Sequence, residues 1–323
     1  MNSLADLRSQ FHAKLGTQIV RFWKKKGRLY PNFSDGDSRS SVEIANTISE
    51  MIGFAQSEEK IKPQTLGREF ENIVRNFISE SFKALIHLRP GDWLYFTSVA
   101  ISEFMQYEHM DTLSSLVESN PSLSSAIGHG YIVKPDIVVA RRPVQDAEFN
   151  HKGRFLNKND TVARLSPFRA SNQSGQAKSF LHASISCKWT IRSDRSQNTR
   201  TEALNLIRNR KGSLPHIVAV TAEPLPMRIA SLALGTGDLD CVYHFALHEL
   251  REACATIHRG DDQLEMLETM IHGNRLRDIS DLPFDLAVGL TPPLPEKSCK
   301  SYNPGLATLW VPLRGALNDR FFN

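Results

Sequence analysis

The chain has 323 residues, 41% of them apolar, with 39 Lys and Arg against 35 Asp and Glu for a net charge of +4. That is enough apolar side chain for one large core or two modest ones, and too mild a charge to mark a polyanion-binding surface by itself, although it permits a locally basic groove. Cys187, Cys241, Cys254 and Cys299 lie far apart with no CxxC pair, which excludes a secreted disulfide scaffold and a zinc clamp; the N-terminus has no apolar signal core and nowhere do eighteen uncharged apolar residues run together, so the expected place is the reduced cytoplasm, with no membrane partner.

The first 60 residues read as helical, with Leu4, Leu7, Phe11 and Leu15 spaced by three or four, and Lys24-Lys25-Lys26 reads as a solvated helix end. From Thr65 to Leu85 the pattern is helical again, since Phe70, Ile73, Val74, Phe77, Ile78 and Leu85 form one apolar stripe. Glu71 sits roughly 70° from the centre of that stripe and Glu69 roughly 130° on the other side, so Glu71 borders the buried face and Glu69 is the alternative. Tyr131 to Ala140 is β-branched and reads as a strand, with Pro135 suited to an edge or a bulge. Residues 142–178 are polar and lack sustained periodicity, which predicts a long excursion with at most short elements.

In Ser184 to Ile191, Ile185, Cys187, Trp189 and Ile191 alternate with Ser184, Ser186, Lys188 and Thr190, predicting a strand that presents Ser186 and Lys188 on one face. A helix follows, capped near Asn198 or Thr199 and stopped at Gly212, with Ala203, Leu206 and Ile207 inward. His216–Val220 reads as a strand covered on both faces, Ile229 to Leu234 as a helix ending at Gly235, Cys241–Phe245 as a strand and Leu247–Ile257 as a helix. This alternation predicts an α/β fold with a largely parallel central segment. Past Leu282 the chain is Pro-rich, with one candidate strand at Ala307–Val311, and no repeat or low-complexity block occurs.

Asp136, Lys188 and Glu202 form the candidate chemical set. Phosphodiester hydrolysis needs a metal to neutralise non-bridging oxygens, a positioned water, and a cation that favours hydroxide and the developing negative charge. Magnesium is a hard ion that takes carboxylate oxygens while keeping several waters, which suits Asp136 and Glu202 as ligands, with Lys188 beside the water. The commonest nuclease pattern puts a second carboxylate two residues before the lysine, where this chain has Ser186; Glu202, 14 residues after Lys188, is placed to return its carboxylate from the following helix.

Lys134-Pro135-Asp136, Ser186-Cys187-Lys188 and Glu202, with Arg192-Ser193-Asp194-Arg195 between, resemble the NgoMIV group of type II restriction endonucleases, which cleave sites with a CCGG core. The likeness runs from about Thr65 through Glu249. It implies a PD-(D/E)xK restriction-endonuclease-like α/β core, a mixed central sheet flanked by helices with N-terminal helical additions. One domain over 1–323 is expected, divided into a helical N-terminal segment over residues 1–60, a catalytic and DNA-reading core over 61–260 and an extension over 261–323. The resemblance further implies that Asp136, relocated Glu202 and the Cys187 backbone carbonyl hold Mg2+, that Lys188 is the catalytic lysine, that Ser186 fills the vacated position, and that Glu71 completes the site.

Arg192 and Arg195 offer planar forks suited to guanine, Asp194 can accept from cytosine N4, and each such pairing discriminates by about 1–3 kcal/mol. Arg228 resembles a reader of the base pair outside the core, implying GCCGGC, and Gln64 a minor-groove contact. The partners implied are double-stranded DNA containing CCGG, three further copies of the chain in a homotetramer of two back-to-back dimers, and a cognate DNA methyltransferase. Two rivals remain: a structure-specific repair or recombination nuclease on the same fold, and a sequence-specific DNA-binding protein without turnover.

Taken singly, Asp136 reads as a turn, Lys188 as an exposed strand lysine and Glu202 as a helix-dipole residue, and only their joint occurrence favours a site. Gly235-Thr236-Gly237-Asp238 reads as a helix stop, His244, His248 and His258 make no HExxH, and Cys187 reads as core.

Overall fold

The computed structural model describes residues 2–25, 27–59, 61–127, 132–157, 161–173, 177–235, 237–257 and 261–288. All of them fall in one compact unit, Met1–Leu290; the second unit, Thr291–Asn323, and with it the candidate strand at Ala307–Val311, lies outside the described residues, as do Lys26, Tyr131, Thr236 and His258.

Helix α1 spans Leu4–Gln18, started by a reciprocal cap in which Ser3 Oγ accepts from the Asp6 N–H and the Asp6 carboxylate accepts from the Ser3 N–H, and it buries Leu7, Phe11 and Leu15. The next segment corrects the helical reading: β1 (Phe22–Lys25) and β2 (Arg28–Pro31) form an antiparallel hairpin that carries Lys24 and Lys25. Gly27 at φ 78° makes the turn, and Trp23 faces Tyr30 across the strands with ring centroids 6.3 Å apart. Helix α2 (Arg39–Ile52) ends on left-handed Gly53, and α3 (Pro63–Ala84) starts with proline in its first turn, where no intrahelical N–H is needed. Its buried face is the stripe expected from the sequence, packed against α1.

Strand β3 (Trp93–Thr97) and helices α4 (His109–Ser119) and α5 (Pro121–Ile127) precede β4 (Ile137–Arg141). The β4 ladder begins after Lys134-Pro135-Asp136: the Val133 and Asp136 carbonyls accept from Ile101 and Ser98, and Pro135 sits in the lead-in rather than in the ladder. The expected excursion holds only α6 (Asp146–Phe149) and a short 3-10 turn among its described residues. Strand β5 is Phe180–Lys188, shifted toward the N-terminus of the expected Ser184–Ile191. Gln106 accounts for some of this shift, since its side chain donates to the Leu181 carbonyl at 2.7 Å and accepts the Leu181 N–H at 2.9 Å. At the other end the Ile191 N–H is drawn off the sheet to Glu223 at 2.8 Å.

Helix α7 (Ser193–Asn209) begins earlier than Asn198, because its first turn, Ser-Asp-Arg-Ser-Gln, contains no apolar residue to show the period. Then come β6 (His216–Thr221), α8 (Pro226–Ala233), β7 (Cys241–His244), α9 (Leu247–Ile257), α10 (Asp262–His272), β8 (Leu276–Asp278) and α11 (Leu282–Val288). The sheet order is β3-β4-β5-β6-β7-β8, antiparallel from β3 to β5 and parallel from β5 to β8, so the parallel segment is as expected and the antiparallel β3 edge is additional. Because Ile137 pairs with Ile185, the entry to β4 and the exit of β5 lie at one end of the sheet, where crossovers leave a crevice at the carboxyl ends of the parallel strands.

Candidate active site

Asp136, immediately ahead of β4, is gripped by the end of β5. Its Oδ2 accepts from the Cys187 N–H at 2.7 Å and from the Lys188 ammonium at 3.0 Å, and the Ser186 hydroxyl lies 3.4 Å away. Ser186 is buried and its Oγ is 3.5 Å from that of Thr199 on α7, so the serine joins the strand end to the helix. Glu202 lies three residues beyond Thr199, on the same helix face, half-buried. Burial raises its carboxyl above the ordinary range; Lys188 opposes that and Asp136 adds to it. On α3, Glu71 is pushed up to about 7, by burial first and by the Asp136 charge second, against Lys188 and Arg68. Glu71 is thus an α3 carboxylate coupled to Asp136 and Lys188. The Cys187 thiol is buried and held protonated, its pKa raised by that burial, so what Cys187 offers the site is backbone.

Asp136 therefore repels two neighbouring carboxylates, and Lys188 attracts both. A divalent ion with oxygen ligands fits such an excess of negative charge. Among the described residues no three His, Cys, Asp or Glu side chains form a ready cage, but magnesium is bound through one or two carboxylates with waters filling the rest.

A second cluster lies beyond the exit of β5. Arg192 caps α7 and is exposed; the backbone of Asp194 and Arg195 is in the first turn of that helix, and their side chains lie outside what the structure describes. Arg228, in the first turn of α8, forms an ion pair with Asp35, and the charge of Arg192 also helps hold the Asp35 carboxyl below its ordinary range. A cavity of about 720 Å³ brings Arg192, Arg228, Asp35, Lys25 and Trp23 together. Gln64 is exposed in the first turn of α3, two turns ahead of Glu71.

The NgoMIV restriction enzyme family profile matches residues 11–288. Type II restriction enzyme NgoMIV from Neisseria gonorrhoeae is 44% identical over 283 residues, covering 86% of this chain and 96% of that protein. The chain belongs to the NgoMIV restriction enzyme family. Solved structures similar to this family member include the type IIF restriction endonuclease Bse634I with cognate DNA, 15% identical at a TM-score of 0.33 over 80% of this chain and 99% of that one. The pre-specific restriction endonuclease BsaWI in complex with DNA is 11% identical at a TM-score of 0.31 over 70% of this chain and 62% of that one.

With NgoMIV-family membership the chain is placed among the type II restriction endonucleases, which act on DNA. Three residues at its site went unread in the sequence. Thr199 was read only as a helix cap. Asp35 lies between two turns with no periodic signal. Glu223 is buried, takes the Ile191 N–H at 2.8 Å, stands 3.8 Å from Arg228, and has its carboxyl pushed up to about 7 by that burial. It follows the strand read as His216–Val220, and only the fold brings it to the Ile191 N–H and Arg228.

Proposed function

We propose that this restriction endonuclease hydrolyses duplex DNA at a palindromic CCGG-core site, GCCGGC, in a magnesium-dependent reaction that leaves 5′-phosphates. The observation that carries the reading is the convergence on Asp136 of the Lys188 ammonium, the Cys187 N–H and the electrostatically coupled Glu71 and Glu202. Asp136, Glu202 and the Cys187 carbonyl would hold a magnesium ion, which when bound there would neutralise phosphate oxygens and acidify a water. Lys188 sets a positive charge where negative charge grows as water attacks phosphorus in line and the 3′-oxygen departs. Ser186 orients Asp136 and ties it to α7. Glu71, with its raised pKa, holds a proton near neutrality and is suited to exchange one with the water.

Arg192, Asp194 and Arg195 would read the CCGG core, Arg228 the outer pair and Gln64 the minor groove. Asp35 supports this assignment, because its carboxylate pairs with one terminal nitrogen of Arg228 and limits where the guanidinium points. A palindrome suits a two-fold assembly, and the reading includes a homotetramer of two back-to-back dimers and a methyltransferase that protects the host's own sites.

The test is digestion of a sequenced plasmid with the full-length protein and magnesium, followed by sequencing of the ends. Discrete 5′-phosphorylated ends within GCCGGC are expected. Cleavage at CCGG irrespective of the flanking pair would remove the role of Arg228, and cutting without sequence preference would remove the reading as a whole.

A further inference from the structure

At the opposite end of β4 and β5 from Asp136, a cavity of about 380 Å³ is walled by Arg89, Arg141, Trp93, Phe168, Phe180 and His182, among others. Arg141 closes β4 and pairs with Phe180 at the start of β5, so about five residues of strand, roughly 17 Å, separate the cavity from the catalytic carboxylates. The volume lies at the small end of ligand pockets, roughly 300–1,000 Å³.

Arg142, also on the wall, pairs with Asp92 at 3.5 Å, whereas Arg89 and Arg141 meet no carboxylate in the cavity. None of its lining residues is acidic. The Arg141 Nε is buried with no hydrogen-bond partner while its guanidinium carbon lies 5.7 Å from the centre of the Trp93 ring. Arg89 is held by one bond to the Leu286 carbonyl at 3.2 Å, and burial and the Arg141 charge both lower its pKa. His182 adds no further charge: its Nε2 is 2.9 Å from the Leu286 carbonyl, and burial first, then His216 and the arginines, depress its pKa to about 3, leaving it neutral. The buried Nε packs against Gly91, so it is the terminal nitrogens of the Arg141 guanidinium that an incoming oxyanion would engage, and that pairing offsets part of the cost of holding the charge in a half-buried wall.

The remaining wall is aromatic. Phe168 and Phe180 have ring centroids 5.2 Å apart, and Phe168 is 46% exposed at the mouth. A bare inorganic anion would leave this wall unused, and a purely apolar ligand would leave the arginines unpaired.

We infer that the cavity is a binding site for a mononucleotide-sized aromatic anion, its phosphate taken by Arg89 and Arg141 and its planar ring laid against Phe168 and Phe180. The site is separate from the proposed DNA-reading surface and does not rest on the proposed cleavage specificity.

Calorimetric titration of the full-length protein with adenosine 5′-monophosphate, and separately with inorganic phosphate, tests this. Saturable nucleotide binding is expected at about tenfold higher affinity than phosphate, within the range that base–aromatic stacking supplies. Arg141→Gln should abolish binding of both. Phe168→Ala, at an exposed position, should weaken the nucleotide to near the affinity of phosphate and leave phosphate binding and DNA cleavage unchanged. The inference is overturned if the nucleotide does not saturate, if it binds no tighter than phosphate, or if Arg141→Gln binds it as well as the wild type, which would put the ligand in the DNA cleft. Should Arg141→Gln not fold, unchanged nucleotide affinity in Phe168→Ala overturns it alone.

Discussion

Lys188 carries the only ammonium hydrogen-bonded to Asp136 among the described residues, and its loss would leave Asp136 facing Glu71 and Glu202 without compensation. Lys188→Ala should therefore slow plasmid cleavage by about a hundredfold or more while specific binding persists in a gel-shift assay; normal turnover would remove the lysine from the chemistry. Glu71 makes the site sensitive to pH. Its carboxyl, raised from the usual 4.5 to about 7, keeps a proton in the folded protein that the unfolded chain has given up. Stability contributed by this group consequently falls as pH rises from about 4.5 to about 7, and Glu223, also pushed to about 7, acts in the same direction. Magnesium bound by the ionised carboxylates would offset the share that belongs to the site. The melting temperature should thus rise more on adding magnesium at pH 8 than at pH 5.5, and Asp136→Asn should erase the difference. An equal rise at both pH values in the wild type would argue against carboxylate ligation.

Helix α7 carries Arg192 at its cap and Glu202 at mid-length, so its seating would link the proposed base reading to the proposed chemistry. Arg200 does the seating. It pairs with the buried Asp238 at 3.1 Å and donates to the Ser231 and Leu234 carbonyls at the end of α8 at 2.7 and 2.8 Å. Gly235 is small for the same reason, since a Cβ there would collide with the Arg200 guanidinium. Arg200→Ala should lower the denaturation midpoint and slow cleavage, Gly235→Ala should do the same by displacing the guanidinium, and the double variant should lose little more than the worse single one. Full additivity of the two losses would show that they act through different contacts. The period of α7 beyond Thr199 was readable because Ala203, Leu206 and Ile207 recur on one side, whereas its polar first turn carries no such signal.

Across the molecule, the N-terminal helix is bonded to the last parallel strand. Arg8 of α1 makes paired bonds to Asp278 at 3.0 and 2.8 Å and to Glu249 at 2.8 and 2.7 Å. Burial works to raise the Asp278 carboxyl, but the Arg8 guanidinium outweighs it and holds the group down to about 2. That stabilisation is present above about pH 4 and is lost as pH falls toward 2. Arg8→Ala leaves Asp278 buried without its cation and should destabilise the fold by about 3–5 kcal/mol, read as a lower denaturant midpoint at unchanged slope. Arg8→Lys should restore only a fraction, because an ammonium cannot span both carboxylates as a fork does. A loss below about 1 kcal/mol would mean that α1 is held mainly by Leu7, Phe11 and Leu15.

What the amino-acid order settled by itself was local: the stripe of α3 that sets Glu71 at the margin of the core, and the β6–α8–β7–α9 alternation that makes one side of the sheet parallel. Hydrophobic period and backbone chemistry act over a few residues, so such features survive reading in one dimension. Tertiary structure alone decided the frame of β5, the hairpin in place of a basic helix end, the antiparallel β3 edge, and the approach of Asp35 and Glu223 to Arg228. The hairpin aside, whose strands are neighbours in sequence, each depends on a partner distant in the chain, as when Gln106 pins Leu181 or Glu223 takes the Ile191 N–H, and pairing of that kind leaves no periodic trace in either segment.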